Sequence, residues 1–473
     1  ESQGEPIGME IRAQAFAFST NDEVNNMTFY NYVLINQGTQ TLSDTYFGVW
    51  VDADVGTATD DYVGCDVQRG LGYSYNGDAD DEPSSSSQGY GLNPPAVGID
   101  FFEGPYQDAD SIDNPLTTNF SDAIDSLGIP YEGIGIGYGD GVIDNERFGM
   151  RRFVYYNNSG NPINGEPSTP LHYYNYMNGI WKNGQKMAYG GDGVSAATGA
   201  DLEIPADYFF PGDTDPFAWG TGGASVDPWT EVTSGNPPAD RRFIQAAGPF
   251  TLEPGDYNNI TMGVVWARAT AGDPTESVKL MRIADDKAQA LFDNCFEIVS
   301  GPDAPDVTIQ ELENEVIIYL TNDNPLSNNY REDYLQLDPG IPKLDVEGNA
   351  YDSLTRSYDF EGYLIYQLRD AEVSAADLND IDAARLIAQC DVQNDIDLVI
   401  NYNQDPTMGI PVPVLMAEGA NEGIFHSLRV TTDAFAQGDN RMVNFKTYYF
   451  MALAYGYNNY EDYDPILGSG QDV

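Results

Sequence analysis

The stretch DRRFIQAAGPFTLEPGDYNNITMGVVWARA, residues 240–269, carries the clearest strand signal in the chain. Apolar and aromatic residues run up to Pro249, the turn sequence Glu-Pro-Gly-Asp follows, and a second run, NITMGVVWARA, has one apolar face. Short apolar runs bounded by Pro and Gly turns are typical of β-strands. The stretch therefore predicts two strands joined by a turn.

The same pattern recurs throughout the chain. Aromatic and β-branched residues fill 27–38, 45–54 and 146–160, and the 48 Gly and 28 Pro are spread among short apolar runs. A chain of 473 residues is too long for one ordinary core. We therefore expect a mostly-β fold, a multidomain protein rich in β-sandwiches, with long loops and a few helices.

One helix and one linker suggest a domain boundary. Residues 273–296 place apolar side chains at helical spacing, namely Val278, Met281, Ala284, Ala288 and Leu291. The polar, Pro-containing sequence GPDAPDVTIQ at 301–310 follows and is typical of a linker. We predict a β-rich first domain over 1–300, closed by this helix, and a second domain over 301–473.

The second domain shows strand signals at 307–323, at 358–370 and at 445–462. Between them SAADLNDIDAARLIAQCD, residues 374–391, is interpreted as an inserted helix capped by Ser374.

Charge restricts the classes of partner. The chain has 75 Asp and Glu against 21 Lys and Arg, a net charge of −54. Such a surface repels nucleic acid and anionic membranes, and no apolar run reaches the ~20 residues of a membrane helix. Salt and divalent cations reduce the self-repulsion, which favours a saline or calcium-rich exterior. The chain has three cysteines, Cys65, Cys295 and Cys390. Their spacing is compatible with one disulfide and one free thiol or with three free thiols.

Calcium is the cofactor that the acidic loops favour, because hard cations take six to eight oxygen ligands. VDADVGTATDDYVGCD, residues 51–66, places two aspartates at a strand end and returns more after a Gly-containing turn. The candidate ligands are Asp52, Asp54, Asp60, Asp61 and Asp66. A solvated acidic loop is the alternative.

A second calcium candidate lies in GYGDGVIDNER, residues 137–147, through Asp140, Asp144 and Glu146. The spacing is not that of an EF-hand, because Arg147 occupies the position where a bidentate Glu belongs. A calcium site of another kind and a plain acidic turn both remain open.

The sequence gives little support for an enzymatic function. The chain has two histidines, and His172 lies in PLHYYNYM, which we interpret as an aromatic strand. No nucleophile or cofactor motif occurs, and glycosidase chemistry, which needs two carboxylates, has no local signature. The aromatic sequence HYYNYMNGIWKNG, residues 172–184, is a candidate sugar-binding platform, with a packed core as the alternative.

Several stretches resemble the body of large exported cell-surface proteins of Bacteroidota-type bacteria, the cargo of type nine secretion. They are YFGVWVDADVGTATDDYVGCD, LGYSYNGD, YYNYMNGIWKNGQKMAYGGDG and DRRFIQAAGPFTLEPGD. The resemblance implies export and surface display or release, and it implies no catalytic residue. It also implies O-glycan addition at Asp-Ser-aliphatic sequences, with Ser111, Ser126 and Ser353 as candidates.

The second domain resembles a fibronectin type III sandwich, at about twice the usual length. APDVTIQ matches the opening strand, FEGYLIYQL the central strand, and KTYYFMALAY the strand with the corner tyrosine, which is Tyr449 here.

Together these observations predict a non-enzymatic, extracellular structural or adhesive protein, stabilised by calcium and assembling into a fibre or surface layer. Its partners are then other copies of itself, other cell-surface proteins or glycans, without nucleic acid or membrane insertion. The alternative is a secreted carbohydrate-binding or carbohydrate-processing protein.

Overall fold

The computed structural model confirms the mostly-β fold, because strands make up 39% of it and helices 12%. The residues it describes are 4–18, 23–84, 87–117, 135–293, 296, 299–338, 341, 353–378, 380–405, 410–458 and 460. The chain divides into two compact units, Glu1–Gln289 and Ala290–Val473. Within the described residues, no helix is both long and apolar enough to span a membrane.

The first unit contains most of the strands and the α-helices. Its strands are β1 (Met9–Phe16), β2 (Thr28–Asn36), β3 (Leu42–Val51), β4 (Asp61–Asp66), β5 (Leu71–Asn76), β6 (Asp80–Asp81), β7 (Gly91–Leu92), β8 (Ala96–Glu103), β9 (Arg152–Asn157), β10 (Ala188–Tyr189), β11 (Asp201–Pro205), β12 (Arg241–Leu252) and β13 (Tyr257–Ala267). Its helices are α1 (Pro170–Met177), α2 (Glu231–Ser234) and α3 (Pro274–Asp293), the last of which continues past the unit boundary.

Two antiparallel sheets organise this unit. One has the order β1-β2-β13-β8-β5-β4, and the other has the order β3-β12-β9. The stretch 240–269 thus supplies an inner strand to each sheet, and the two predicted strands are confirmed. The first of them does not end at Pro249: it continues to Leu252, with a change of register that lets it keep pairing with β3.

The core lies between the two sheets and is mainly aromatic. Phe101 on β8 and Phe153 on β9 belong to one buried cluster with Phe243 on β12, and the rings of Phe153 and Phe243 are 4.9 Å apart. The buried Gln245 side chain crosses between the sheets and donates to the Ile99 carbonyl at 3.0 Å. Each buried ring removes a large apolar area from water and so stabilises the fold.

Helix α3 covers the six-stranded sheet from the opposite face. The predicted helix at 273–296 is confirmed as Pro274–Asp293, and Asp273 accepts from the Thr275 amide at 2.8 Å near its start. Met281 packs against Gly98 on β8, where a Cβ would lie 2.9 Å from the Met281 sulfur. Any larger residue at position 98 would therefore force the Met281 side chain to shift.

The second unit is built from β14 (Asp306–Leu312), β15 (Glu315–Thr321), β16 (Leu335–Leu337), β17 (Ser357–Leu368), β18 (Ala384–Asp391), β19 (Leu398–Asp405), β20 (Ile410–Glu418), β21 (Ser427–Val430) and β22 (Tyr449–Tyr457). One sheet has the order β14-β15-β21, and another joins β16, β17 and β18, with β22 also paired to β17. The strands β19 and β20 form a separate pair.

The predicted helix at 374–391 is wrong. Residues Ala375–Asp377 form a single 3-10 turn after Ser374, and Ala384–Asp391 is the strand β18. This strand pairs with β17 from Ala384 to Asp391. Ladder hydrogen bonds and the burial of Cys390 outweigh the helix propensity of the Ala and Leu residues there.

A buried ion pair links α2 to the start of β12. Glu231 is fully buried and receives the Arg241 guanidinium at 2.9 Å, and it also accepts from the Val63 amide at 3.2 Å. Burial raises the pKa of Glu231 even with Arg241 beside it. Removing one partner of such a pair leaves an uncompensated charge in the core.

We predict that Glu231→Gln destabilises the first unit by about 3–5 kcal/mol, because Arg241 then keeps its buried charge without a carboxylate. Urea unfolding measures this change. Glu10→Gln is the matched control, since Glu10 pairs with Arg12 on the surface, and it should leave the transition unchanged. Equal effects of both substitutions would contradict the prediction.

A buried carboxyl on β17 makes the second unit sensitive to pH. Glu361 is 2% exposed, and its Oε2 accepts from the Asn394 side chain at 2.7 Å, while Oε1 has no hydrogen-bond partner. Burial raises the pKa of Glu361 to about 7, against a lowering by the Asn394 hydrogen bond. The folded state therefore keeps a proton that the unfolded state loses as pH rises from about 4.5.

It follows that the contribution of Glu361 to stability is complete below about pH 4.5 and is lost as pH rises through about 7. We predict that Glu361→Gln raises the melting temperature of the second unit at about pH 8 and has little effect at about pH 4. Thermal unfolding across this range measures the difference. Glu422→Gln, which changes an exposed carboxyl of the same unit, is the control, and an equal response of both variants would refute the role of burial.

Candidate functional site

Three aspartates meet where β3 ends and β12 begins. Phe243 on β12 pairs with Val51 on β3, so the register brings the residues just beyond these two strand ends together. One ligand atom from each of Asp52, Asp54 and Asp240 lies within 4.8 Å of the other two. Among the described residues, no other set of three or more acidic, histidine or cysteine side chains is this compact.

Arg242 neutralises part of this carboxylate trio. Its Nε donates to Asp52 at 2.8 Å, and its Nη1 donates to Glu166 at 2.8 Å. The Oδ1 atom of Asp240 lies 3.8 Å from the Arg242 Nε. With Asp54 included, four carboxylates surround one guanidinium, which leaves an excess of negative charge at the surface.

The electrostatics of the trio are those of crowded carboxylates. Partial burial raises the pKa of Asp54, and the neighbouring charges of Asp52 and Asp240 raise it further, while Arg242 acts in the opposite direction. An oxygen-seeking cation would relieve this repulsion. Asp240 was missed as a ligand from the sequence, although it directly precedes the clearest predicted strand.

The aspartates at 60 and 61 do not join the trio. Asp61 is 1% exposed at the start of β4, where its Oδ2 accepts from the Val55 amide at 3.0 Å and its Oδ1 has no partner. Burial raises its pKa to about 8. Asp81, also fully buried, accepts from the Thr57 amide at 3.0 Å. The predicted cage of paired aspartates is therefore split: Asp61 is buried, Asp60 is half-buried, and neither belongs to the trio.

Asp66 belongs to another part of the unit. It is fully buried at the end of β4, and its Oδ2 contacts Arg69 at 3.0 Å and Arg282 at 2.9 Å. Two guanidinium groups therefore occupy the side chain that the sequence pattern proposes as a loop ligand.

The second candidate loop uses its carboxylates to hold backbone. Asp140 accepts from the Val142 amide at 2.8 Å, and Asp144 accepts from the Ser111 amide at 2.7 Å. Glu146 is buried and accepts from the Asn114 amide. Each carboxylate thus braces a turn, and the three are not brought to a common centre.

The candidate glycosylation sites differ in their placement. Ser111 is exposed with a positive φ of 67°, and Ser353 is exposed. Ser126 lies outside the described residues, as does Cys295. Cys65 and Cys390 are buried free thiols, one in each unit.

The aromatic sequence at 172–184 is partly helical, and two of its aromatic side chains belong to the core. His172 lies in α1, so the interpretation as a strand is wrong: Pro170 begins the helix and Thr169 caps it. Tyr176 and Trp181 are fully buried, with the Trp181 indole donating to the Gly193 carbonyl at 2.9 Å. These two rings are therefore unavailable as a sugar-binding platform.

A shallow pocket offers a different polar and aromatic surface, lined by Tyr189, Tyr208, Pro211, Asp213, Asp215 and Pro228 among others. Asp215 accepts from the Trp219 and Gly220 amides, each at 2.8 Å, so its carboxylate holds the loop. Of its two tyrosines, Tyr189 is half-buried and Tyr208 is buried, and the Asp215 carboxylate already accepts two backbone amides.

Comparison with known proteins adds no family assignment. No protein-family model matches the chain, and neither a curated protein nor a solved structure matches it. The resemblances to exported cell-surface proteins and to fibronectin type III domains therefore stay predictions, and function has to be inferred from the residues described above.

Proposed function

We propose that the chain is a non-enzymatic extracellular structural or adhesive protein, exported to the cell surface or released from it, that associates with other copies of itself in the presence of calcium. The observation that carries this proposal is an open, apolar sheet edge in the second unit. The carboxylate trio and the net charge of −54 support the role of calcium.

Among the described residues, the open edge is β14. It is the end strand of the order β14-β15-β21, and every one of its residues is exposed. Ile309 pairs with Ile318 and Val307 with Leu320, so these pairs share one face of the sheet. Ile318 and Leu320 are buried, whereas Val307 is 38% and Ile309 is 42% exposed. The apolar face of this sheet is therefore buried on β15 but remains exposed to solvent on β14.

Edge strands present unpaired backbone groups that pair readily with another strand. An antiparallel pairing of β14 with its own copy places Ile309 opposite Ile309 and continues the apolar face across the two-fold axis. β1 is a second edge strand, at the end of the six-stranded sheet. Pairing of β1 with another copy, in addition to the pairing of β14, would give each chain two contacts and would produce a linear assembly rather than a closed dimer.

Charge makes this association depend on cations. β14 itself carries Asp306 and Glu311, and two copies of so acidic a chain repel each other at low salt. Calcium bound at Asp52, Asp54 and Asp240 would lower the net charge of each copy and rigidify the end of β3. Salt and calcium therefore both favour association of the copies.

Carbohydrate binding is the alternative function. The pocket beside Tyr189 favours it, since aromatic rings and carboxylates are the side chains that such sites use. Glycan binding that is independent of calcium and abolished by Tyr189→Ala would support this alternative over assembly.

We predict that Ile309→Lys abolishes calcium-dependent assembly, because it brings two ammonium groups together at the two-fold axis. The control is Leu326→Lys, which adds the same charge at a side chain that is 93% exposed outside the strands; it should assemble like the wild type. Size-exclusion chromatography with light scattering, followed by electron microscopy, measures the assembly. A wild-type chain that stays monomeric in calcium would refute the proposal, as would unchanged assembly of Ile309→Lys.

A further inference from the structure

Two buried aspartates lie where α3 packs on the six-stranded sheet: Asp100 is two residues after Gly98, which packs against Met281, and Asp285 is one helical turn after Met281. Asp285 lies on the side of α3 that carries Met281 and Ala288, and Asp100 lies on β8 beneath it. Each is 1% exposed. Carboxylates at such positions are costly unless they are paired or coordinate a metal.

Neither aspartate has adequate partners in the protein. Both carboxylate oxygens of Asp100 and the Oδ1 of Asp285 are buried without a hydrogen bond of good geometry, although the Phe101 amide is close enough to Asp100 to lower its pKa. Burial raises the pKa of both carboxyl groups well above the ordinary value, and the charge of Asp100 raises the pKa of Asp285 further. Each buried, unpartnered oxygen costs free energy that some additional positive group has to offset.

The nearby arginines do not supply that group, because other carboxylates occupy them. Arg69 donates to Asp286 at 2.8 Å through both Nε and Nη2, and its Nη1 contacts Asp66 at 3.0 Å. Arg282 contacts the same Asp66 at 2.9 Å. Two arginines and two aspartates balance each other here, so no arginine charge remains to offset Asp100 and Asp285 when they are ionised.

We infer that Asp100 and Asp285 bind one hard divalent cation, of the calcium or magnesium class, beneath α3. Two carboxylates offer up to four oxygens, and hard cations complete their shell with water and backbone carbonyls. One such ion carries the two positive charges that the cluster lacks. The site shares no ligand with the trio of Asp52, Asp54 and Asp240 and is independent of the proposed function.

The site also explains why α3 carries an aspartate in its apolar face. An ion that bridges β8 and α3 would hold the helix against the sheet. It would do so at a helix position where an apolar side chain would otherwise make the contact. The rival explanation is a proton shared between the two carboxyl groups, as in like-charge carboxyl pairs elsewhere. A shared proton removes one of the two charges, whereas a divalent ion removes both.

Metal content and thermal stability of the full chain distinguish the two explanations. We expect the wild type to retain one equivalent of Ca²⁺ or Mg²⁺ through dialysis against metal-free buffer, because the site is closed to solvent. The ion is removed by treating partly unfolded protein with chelator and then refolding it. The melting temperature of the first unit should then be lower by about 5 °C. Asp100→Asn/Asp285→Asn should retain no such equivalent and should not respond to chelator.

Asp54→Asn is the matched control, because it alters the exposed trio and leaves α3 intact. The proposal is overturned if the wild type holds no divalent ion and ignores chelator, or if Asp54→Asn rather than the double variant removes the retained equivalent. A double variant that melts higher than the wild type at about pH 8, with unchanged metal content, would establish the shared proton instead. If the double variant does not fold, the wild-type metal content and chelator response decide alone.

Discussion

An excess of carboxylates is the constraint on which the rest of the structure depends. With 75 acidic residues against 21 Lys and Arg, most carboxylates have no cationic side chain to pair with. Many accept backbone amides instead: Asp81 accepts from Thr57 and Tyr90, and Asp215 accepts from Trp219 and Gly220. The long loops are therefore ordered by their own acidic side chains rather than by regular secondary structure.

Some of the arginines hold several elements together. Arg241 joins β12 to α2 through Glu231, and Arg147 contacts Glu103 at 2.9 Å and the Asn259 carbonyl at 3.0 Å. Because Arg presents a planar fork of donors, one guanidinium serves several acceptors at once. Among the carboxylates that remain unpaired, the exposed trio and the buried aspartates under α3 are the two groups at which we propose a divalent cation.

The sequence predicts the strands and the long helix well, and the sites poorly, for identifiable physical reasons. Period-two and helical patterns depend on neighbouring residues alone, so 240–269 and 273–296 are recognised correctly. The segment 374–391 is not, because its pairing with β17 is a long-range contact. The trio likewise depends on register, which brings Asp240 to Asp52 across the chain. The sequence gives one indication of the buried site: Asp285 is a carboxylate within the apolar stripe of the predicted helix.

The central claim is that a divalent cation compensates the buried carboxylates of the first unit, and diffraction tests it most directly. A crystal of the full chain grown in calcium, measured for anomalous scattering, should show a peak between Asp100 and Asp285 with carboxylate oxygens at about 2.3–2.6 Å. A calcium-saturated crystal with no peak there, and with the two carboxyl groups in direct hydrogen-bond contact, would contradict it.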